Sequence, residues 1–342
     1  MSDTPKSPPS GAQYDAVRQG WLDAHVRPLW ENPRVHKVRE GGAKAHIWKW
    51  RTLRPLVEEA MRVTSPAAVE RRVLTLVDPE NDSPSGGTTT NLTAALQILL
   101  PGETARPHRH TPNALRFMIE GSGAVTVVDG KPCPMEPGDL VITPGWSWHE
   151  HVHNGSEPVI WLDALDAPFH RAIGTDVFEP GPPHDLPNHP EDAAYAVPGM
   201  APDLNETQAA SPVFRYPWNT AASALRAAPM ARDGARRVRY VNPASGGSAM
   251  PLLDCYLTAL DRGMRTVRFR SNGNAVCYVC AGTGTSRVGS ETLAWEPRDV
   301  FSLPHGNWIE HGANEDAILF VMTDRDALRR LGLLKEEYGN AG

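Results

Sequence analysis

Between Leu92 and Asp166, short apolar or β-branched runs alternate with Gly and Pro turns: AALQILL, ALRFMIE, AVTVVDG, DLVITP and PVIWLDAL. Several short strands at this spacing predict a sandwich or barrel. A second strand-rich block runs from about Arg237 to Thr323. Helical periodicity is confined to the flanks. It covers Tyr14 to about His25, 48–63 (with Pro55 near the start of its periodic part), weakly 223–234, and the terminal RDALRRLGLLKEEYG. Residues 1–12 read as a disordered polar tail and 78–91 as a loop. Residues 167–212 are proline-rich without periodicity, which predicts a linker or an arm laid over another surface. The pattern therefore describes a mainly β protein with N-terminal helices and a C-terminal helix. It divides into an N-terminal tail and helical arm (1–90), a first barrel (91–168), a proline-rich linker (169–236) and a second barrel (237–342).

The two strand-rich blocks look like copies. Gly121-x-Gly123 corresponds to Gly282-x-Gly284, and MEPGD (135–139) to WEPRD (295–299). Pro144, Trp148 and His151 correspond to Pro304, Trp308 and His311. The first copy carries His108-Arg109-His110, and His149 follows. The second has Phe269 and Ser271 in place of the pair, and Ile309 or a neighbour in place of His149. The second barrel keeps the frame without the ligands and is expected to be structural.

Alternate residues of a strand share a face, so His108 and His110 can aim into one barrel and His149 can join them from a paired strand. Neutral imidazoles suit iron, zinc, copper and nickel, and three of them leave positions open on the metal, as a catalytic site requires. No carboxylate follows closely: positions 114–116 are Ala, Leu and Arg. The formal net charge of −6 and a pI near 6.1 give no support for nucleic-acid binding. No stretch has the roughly 18–20 apolar residues of a membrane span, and the N-terminus has no signal-peptide core, so a cytoplasmic protein is expected. The four cysteines are too few and too scattered for a disulfide framework, and Cys277-x-x-Cys280 lies in a strand-like run, as packed thiols do.

The spacing Gly102-x5-His108-x-His110, with Gly138-x5-Pro144 leading to His149, resembles the cupin superfamily, and the duplication makes the chain a bicupin. RHTPNALRF, EGSGAVTVVDG, MEPGDLVITPGWSWHEH and PVIWLDALD resemble the gentisate and salicylate 1,2-dioxygenases, with WKWRTLRPL, RRVL and VRYVNPASGG extending the likeness over most of the chain. The resemblance implies an Fe(II) enzyme that cleaves an aromatic ring between its carboxylated and hydroxylated carbons, using both atoms of dioxygen. It implies that His108, His110 and His149 hold iron, and that Arg72, Gln97, Arg116, His151 and Asp163 surround the substrate. It also favours a homotetramer.

An ortho-hydroxybenzoate can chelate one metal, and guanidiniums hold a carboxylate with forked hydrogen bonds. Arg116 lies an even step beyond His110 and is expected to face inward with it if no bulge intervenes. His151 shares the face of His149 and is expected to take the phenolic proton or assist bound oxygen, while Asp163 orients a histidine. Relatives carry an aromatic residue where this chain has Thr93, which removes a wall and adds a hydroxyl. The substrate expected is therefore gentisate or a 5-substituted salicylate, such as a nitro or halogen derivative. Two alternatives are a manganese or zinc isomerase or decarboxylase of the same fold, and a non-catalytic ligand-binding bicupin.

Overall fold

The computed structural model describes residues 11–31, 43–65, 69, 71–80, 86–203 and 209–339. Two compact units are present. The smaller contains the helix Ala12–Asp23, whose Tyr14 and Arg18 both bond Glu31. The larger, from Gly42 onward, holds both barrels. Most of the tail expected to be disordered lies outside the described residues.

A strand β1 (Ile47–Trp48) precedes the helix Trp50–Val63, which buries Leu53, Val57 and Ala60 at the i, i+4, i+7 spacing of one helical face. The first barrel then runs through β2 (Val73–Leu76), β3 (Thr93–Leu99), β4 (Thr104–His110), β5 (Ala114–Glu120) and β6 (Ala124–Val128). It continues with β7 (Lys131–Met135), β8 (Leu140–Thr143), β9 (His149–His153) and β10 (Val159–Leu165). The linker contributes β11 (Phe178–Pro180) and β12 (Arg215–Tyr216). The second barrel comprises β13 (Arg236–Arg239), β14 (Asp254–Leu260), β15 (Phe269–Ser271), β16 (Ala275–Ala281) and β17 (Gly284–Val288). Its remaining strands are β18 (Glu291–Trp295), β19 (Val300–Leu303), β20 (Trp308–Ala313), β21 (Ala317–Thr323) and β22 (Glu336–Tyr338).

All pairings are antiparallel, and the two barrels repeat one plan. The first has sheets in the order β12-β8-β5-β10-β3-β2 and β11-β4-β9-β6-β7; the second has β1-β19-β16-β21-β14-β13 and β22-β15-β20-β17-β18. The duplicated Gly-x-Gly turns share a geometry too. Gly121 and Gly282 sit at φ +81° and +79°, and a Cβ there would strike the carbonyl oxygens of Pro158 and Asp316.

The arms are exchanged between the halves. β1 precedes the first barrel but pairs with β19 of the second, while β12 precedes the second barrel and pairs with β8 of the first. The aspartate of each copied EP-x-D motif closes the exchange. Asp299 accepts the backbone N–H of Trp50 at 2.8 Å, and Asp139 accepts that of Trp218 at 2.8 Å. Each carboxylate thus satisfies an orphan donor at the start of the helix belonging to the other arm. Between the six-stranded sheets, Phe117 stacks on Phe320 at 4.2 Å within one continuous apolar core.

Several expectations need correction. Boundaries at 91, 168 and 236 are too narrow, because β2, β11 and β12 complete the first barrel's sheets and β1 completes one of the second's. The weak helix at 223–234 is displaced to Trp218–Ala227, starting where Asp139 supplies its first bond. The C-terminal helix stops at Arg330, and β22 follows it and pairs with β15. There Glu336 is drawn onto Arg325 by both carboxylate oxygens.

Candidate metal centre and substrate cavity

β4 and β9 lie side by side with His108 directly opposite His149. His110 is two residues further along β4, so the three imidazoles share the barrel's inner face. Ring centroids are 4.0 Å apart for His108 and His149, 4.8 Å for His110 and His149, and 5.5 Å for His108 and His110. One nitrogen from each falls within 4.8 Å of the others, and no carboxylate joins the group among the described residues. Arg109 points the opposite way, with its guanidinium between the rings of Trp146 and Trp148 and 2.7 Å from Glu179.

The outer nitrogens are fixed by the backbone. Nδ1 of His108 bonds the carbonyl of Arg106 at 2.9 Å, that of His110 the carbonyl of Pro112 at 2.8 Å, and that of His149 the carbonyl of Ser147 at 3.0 Å. A carbonyl can only accept, so each Nδ1 carries the proton and each Nε2 keeps a lone pair. Nε2 of His108 and of His149 is buried without a protein partner. Burial, reinforced by Arg71, pushes the pKa of His108 down to about 3, and burial with Arg116 pushes that of His110 down to about 4. Three neutral donors with fixed tautomers and converging lone pairs fit a divalent metal with open coordination positions.

The opposite wall is the sheet containing β3, β5 and β10. Arg116 pairs directly with Asp163 across β5 and β10, and its Nε lies 3.2 Å from the Asp163 carboxylate. Arg116 also donates to Thr143, while Asp163 accepts Trp161 Nε1–H at 3.0 Å. Asp163 therefore orients Arg116 and Trp161, not a histidine. Arg116 was expected to share a strand with His110, but a turn at 111–113 separates β4 from β5. It reaches the cavity from the opposite sheet.

Thr93, Ala95 and Gln97 share one face of β3, opposite Leu165, Asp163 and Trp161 respectively. Thr93 Oγ1 and Gln97 Nε2 are both buried without a hydrogen-bond partner. Buried polar atoms are almost always paired, so these two on one face are free to bond a further group. His151 stands beside the trio, its Nδ1 2.8 Å from Thr126 Oγ1 and its ring 5.1 Å from Trp161.

Arg72 is not in this cavity. Val73 is opposite Gln97 in the β2–β3 register, so odd-numbered residues of this segment face inward and Arg72 faces away. It holds Glu103 by two bonds of 2.7 and 3.0 Å and gives Nε–H and an Nη2–H to Thr64. Its neighbour Arg71 takes the inward place. It acts electrostatically on His108, His110, His151, Arg116 and Asp163, and its guanidinium lies 5.8 Å from the centroid of Phe178. Only strand parity could have separated the two arginines beforehand. Phe178 itself was invisible in the proline-rich text. β11 lays it beside β4, where it stacks on His108 at 5.3 Å. His153 bridges the backbone N–H of Gly155 and the carbonyl of Glu157.

A duplicated β-barrel with a three-histidine centre in one half defines a bicupin metal-dependent enzyme. The cupin domain family model matches residues 95–165. The chain is 36% identical to gentisate 1,2-dioxygenase 1 of Aquipseudomonas alcaligenes, over 92% of this chain and 94% of that protein. It is 33% identical to the 5-aminosalicylate 1,2-dioxygenase of Comamonas sp, over 94% and 90%. Salicylate 1,2-dioxygenase from Pseudoaminobacter salicylatoxidans, solved with gentisate, superposes with a TM-score of 0.90 and 30% identity, over 99% of this chain and 98% of that one. The chain belongs to the gentisate and salicylate 1,2-dioxygenase family of bicupins, and is an aromatic ring-cleaving dioxygenase. The isomerase, decarboxylase and purely ligand-binding alternatives give way to that assignment. No helix among the described residues is long and apolar enough to cross a membrane.

Proposed function

We propose that the protein is an Fe(II) enzyme that splits the bond between the carboxyl- and hydroxyl-bearing ring carbons of gentisate or a 5-substituted salicylate, both atoms of dioxygen entering the product. The observation that carries this reading is the pairing of a neutral three-histidine centre with two inward guanidiniums in one cavity. His108, His110 and His149 would hold the metal. Bound there, Fe(II) supplies redox activation of dioxygen, which protein side chains cannot.

The chain's own residues bind and orient the substrate. Arg71 and Arg116, set against the single carboxylate of Asp163, make the cavity positive before any metal is counted. A carboxylate adjacent to a phenolate matches that field, and a planar guanidinium fork fixes the carboxylate's plane. Thr143 and Asp163 hold Arg116 in place, so little side-chain entropy is lost when substrate binds. His151 is positioned by Thr126 to accept the phenolic proton.

Gln97 and Thr93 face the ring side of the pocket with unused polar atoms. Thr93 is smaller than an aromatic side chain, which leaves room and a hydroxyl for a group at ring position 5. Comparing kcat/KM across salicylate, gentisate, 5-nitrosalicylate and 5-chlorosalicylate tests this. The gentisate or 5-substituted compounds should lead, and a clear preference for unsubstituted salicylate would overturn the reading. Oxygen uptake that needs Fe(II) and an ortho-hydroxybenzoate tests the reaction itself. A homotetramer belongs to the same proposal; exposed Trp146, Ile173 and Phe178 supply apolar surface for it, and light scattering showing a stable monomer would remove it.

A further inference from the structure

The second barrel has lost its metal ligands, yet it is not filled in. Phe269 faces Ile309 across β15 and β20, just as His108 faces His149 in the first barrel. Behind them lies a cavity of about 310 Å³, in a different barrel from the histidine trio. A cavity of roughly 150 Å³ already accepts benzene, so this one has room for a substituted single ring. Small barrels that serve only as scaffolds fill their interiors with side chains.

The lining is chemically selective. Phe269 and Tyr338, 5.0 Å apart, form an aromatic wall, and Leu319 and Val321 an aliphatic one. Arg237 gives Nε to Thr258 at 3.1 Å and one Nη2 donor to Asp233 at 2.8 Å, which leaves the Nη1 end of its fork for a ligand. The two carboxylates at the cavity edge are engaged: Asp233 also accepts the Ala235 N–H, and Glu336 holds Arg325 with both oxygens. Ser286 Oγ accepts Trp295 Nε1–H at 2.9 Å and lies 2.7 Å from Nδ1 of His311. In the tautomer where Ser286 donates its proton to Nδ1, His311 carries its own proton on Nε2 and offers a second donor from the cavity wall.

We propose that the second barrel is a separate binding site for a one-ring aromatic carboxylate, its carboxylate held by Arg237, its ring between the aromatic and aliphatic walls, and His311 Nε2–H donating to it. This site is not proposed to cleave rings, since the metal-ligand group found among the described residues, His108, His110 and His149, lies in the first barrel. It gives the silent half of the duplication a role as a sensor or reservoir for molecules of the substrate's own class.

The full-length protein and 4-fluorobenzoate test it by 19F NMR titration and by crystallography of the soaked complex. Electron density in the second barrel is expected, with a bound resonance that survives Arg116→Gln. Arg237→Gln should weaken that resonance's affinity at least about tenfold, the cost of losing a charge-assisted contact. Leu319→Trp, which fills the cavity, should abolish it while oxygen uptake with the proposed substrates persists as a check on folding. If neither variant folds, occupancy of the wild-type cavity decides. Density confined to the first barrel, or a resonance indifferent to both Arg237→Gln and Leu319→Trp, would overturn the proposal.

Discussion

Arg72 and Glu103 are joined by two parallel hydrogen bonds, and this pair turns Arg72 away from the face that its neighbour Arg71 takes. The guanidinium is 2% exposed and the carboxylate 18%. Removing one partner of a buried pair strands the other, typically at about 3–5 kcal/mol, an upper figure here because Glu103 keeps some solvent. Arg72→Gln should therefore lower the urea midpoint while KM stays near wild type for the folded fraction. Arg71→Gln should raise KM with little loss of stability. The reverse pattern would return Arg72 to the substrate.

The candidate metal centre has three donors and no fourth among the described residues. His108→Ala, His110→Ala and His149→Ala should each abolish bound iron and oxygen uptake, as measured by elemental analysis. His305→Ala and His311→Ala in the second barrel should leave iron content unchanged. Full iron in any of the first three would mean that the ligand set is wrong.

His151 is held by Thr126 and is not one of the three clustered ligands. His151→Ala should keep its iron while kcat falls by about 10²–10⁴, the usual contribution of an acid–base group. Loss of iron together with activity would make it a ligand.

In the proposed reading, Thr93 sets the room available at ring position 5. Thr93→Trp should reduce kcat/KM for 5-nitrosalicylate relative to salicylate by at least about tenfold, the lower range for a steric mismatch in an apolar pocket. An unchanged ratio would mean that ring position 5 points elsewhere.

His311 makes stability depend on pH. Burial, with Arg237 nearby, lowers its pKa to about 4 from an ordinary value of 6.5, while Asp233 opposes the shift. Between those values the unfolded chain binds more protons than the folded one, so stability is complete above about pH 6.5 and is lost as pH falls toward 4. The full shift corresponds to about 3 kcal/mol. The ring is only partly buried by surface accessibility and borders the cavity, so water there reduces the effect. Urea unfolding of His311→Gln should show a flatter decline between pH 6.5 and 4 than wild type; equal slopes would refute the assignment.

Much of the site was legible from local pattern. A strand alternates faces, so HxH identifies two inward histidines, and the repeated Gly-x-Gly and EP-x-D text identifies two barrels of one plan. Those inferences need only neighbours in sequence, and the geometry of His108, His110 and His149 agrees with them.

What lay beyond the sequence was decided by pairings between distant segments. The Arg71 and Arg72 assignment depended on the β2–β3 register, where a slip of one residue exchanges inside for outside. Arg116 faces the metal centre from the opposite sheet because the chain turns at 111–113, so counting from His110 along one strand was the wrong measure. Phe178 entered through an arm whose proline-rich text has no period, and the exchanged arms depended on Asp139 and Asp299 meeting helix starts far along the chain. The second barrel's loss of ligands was plain in its residues. That its interior stayed open was a property of packing, since a cavity is the space that side chains from many strands together fail to fill.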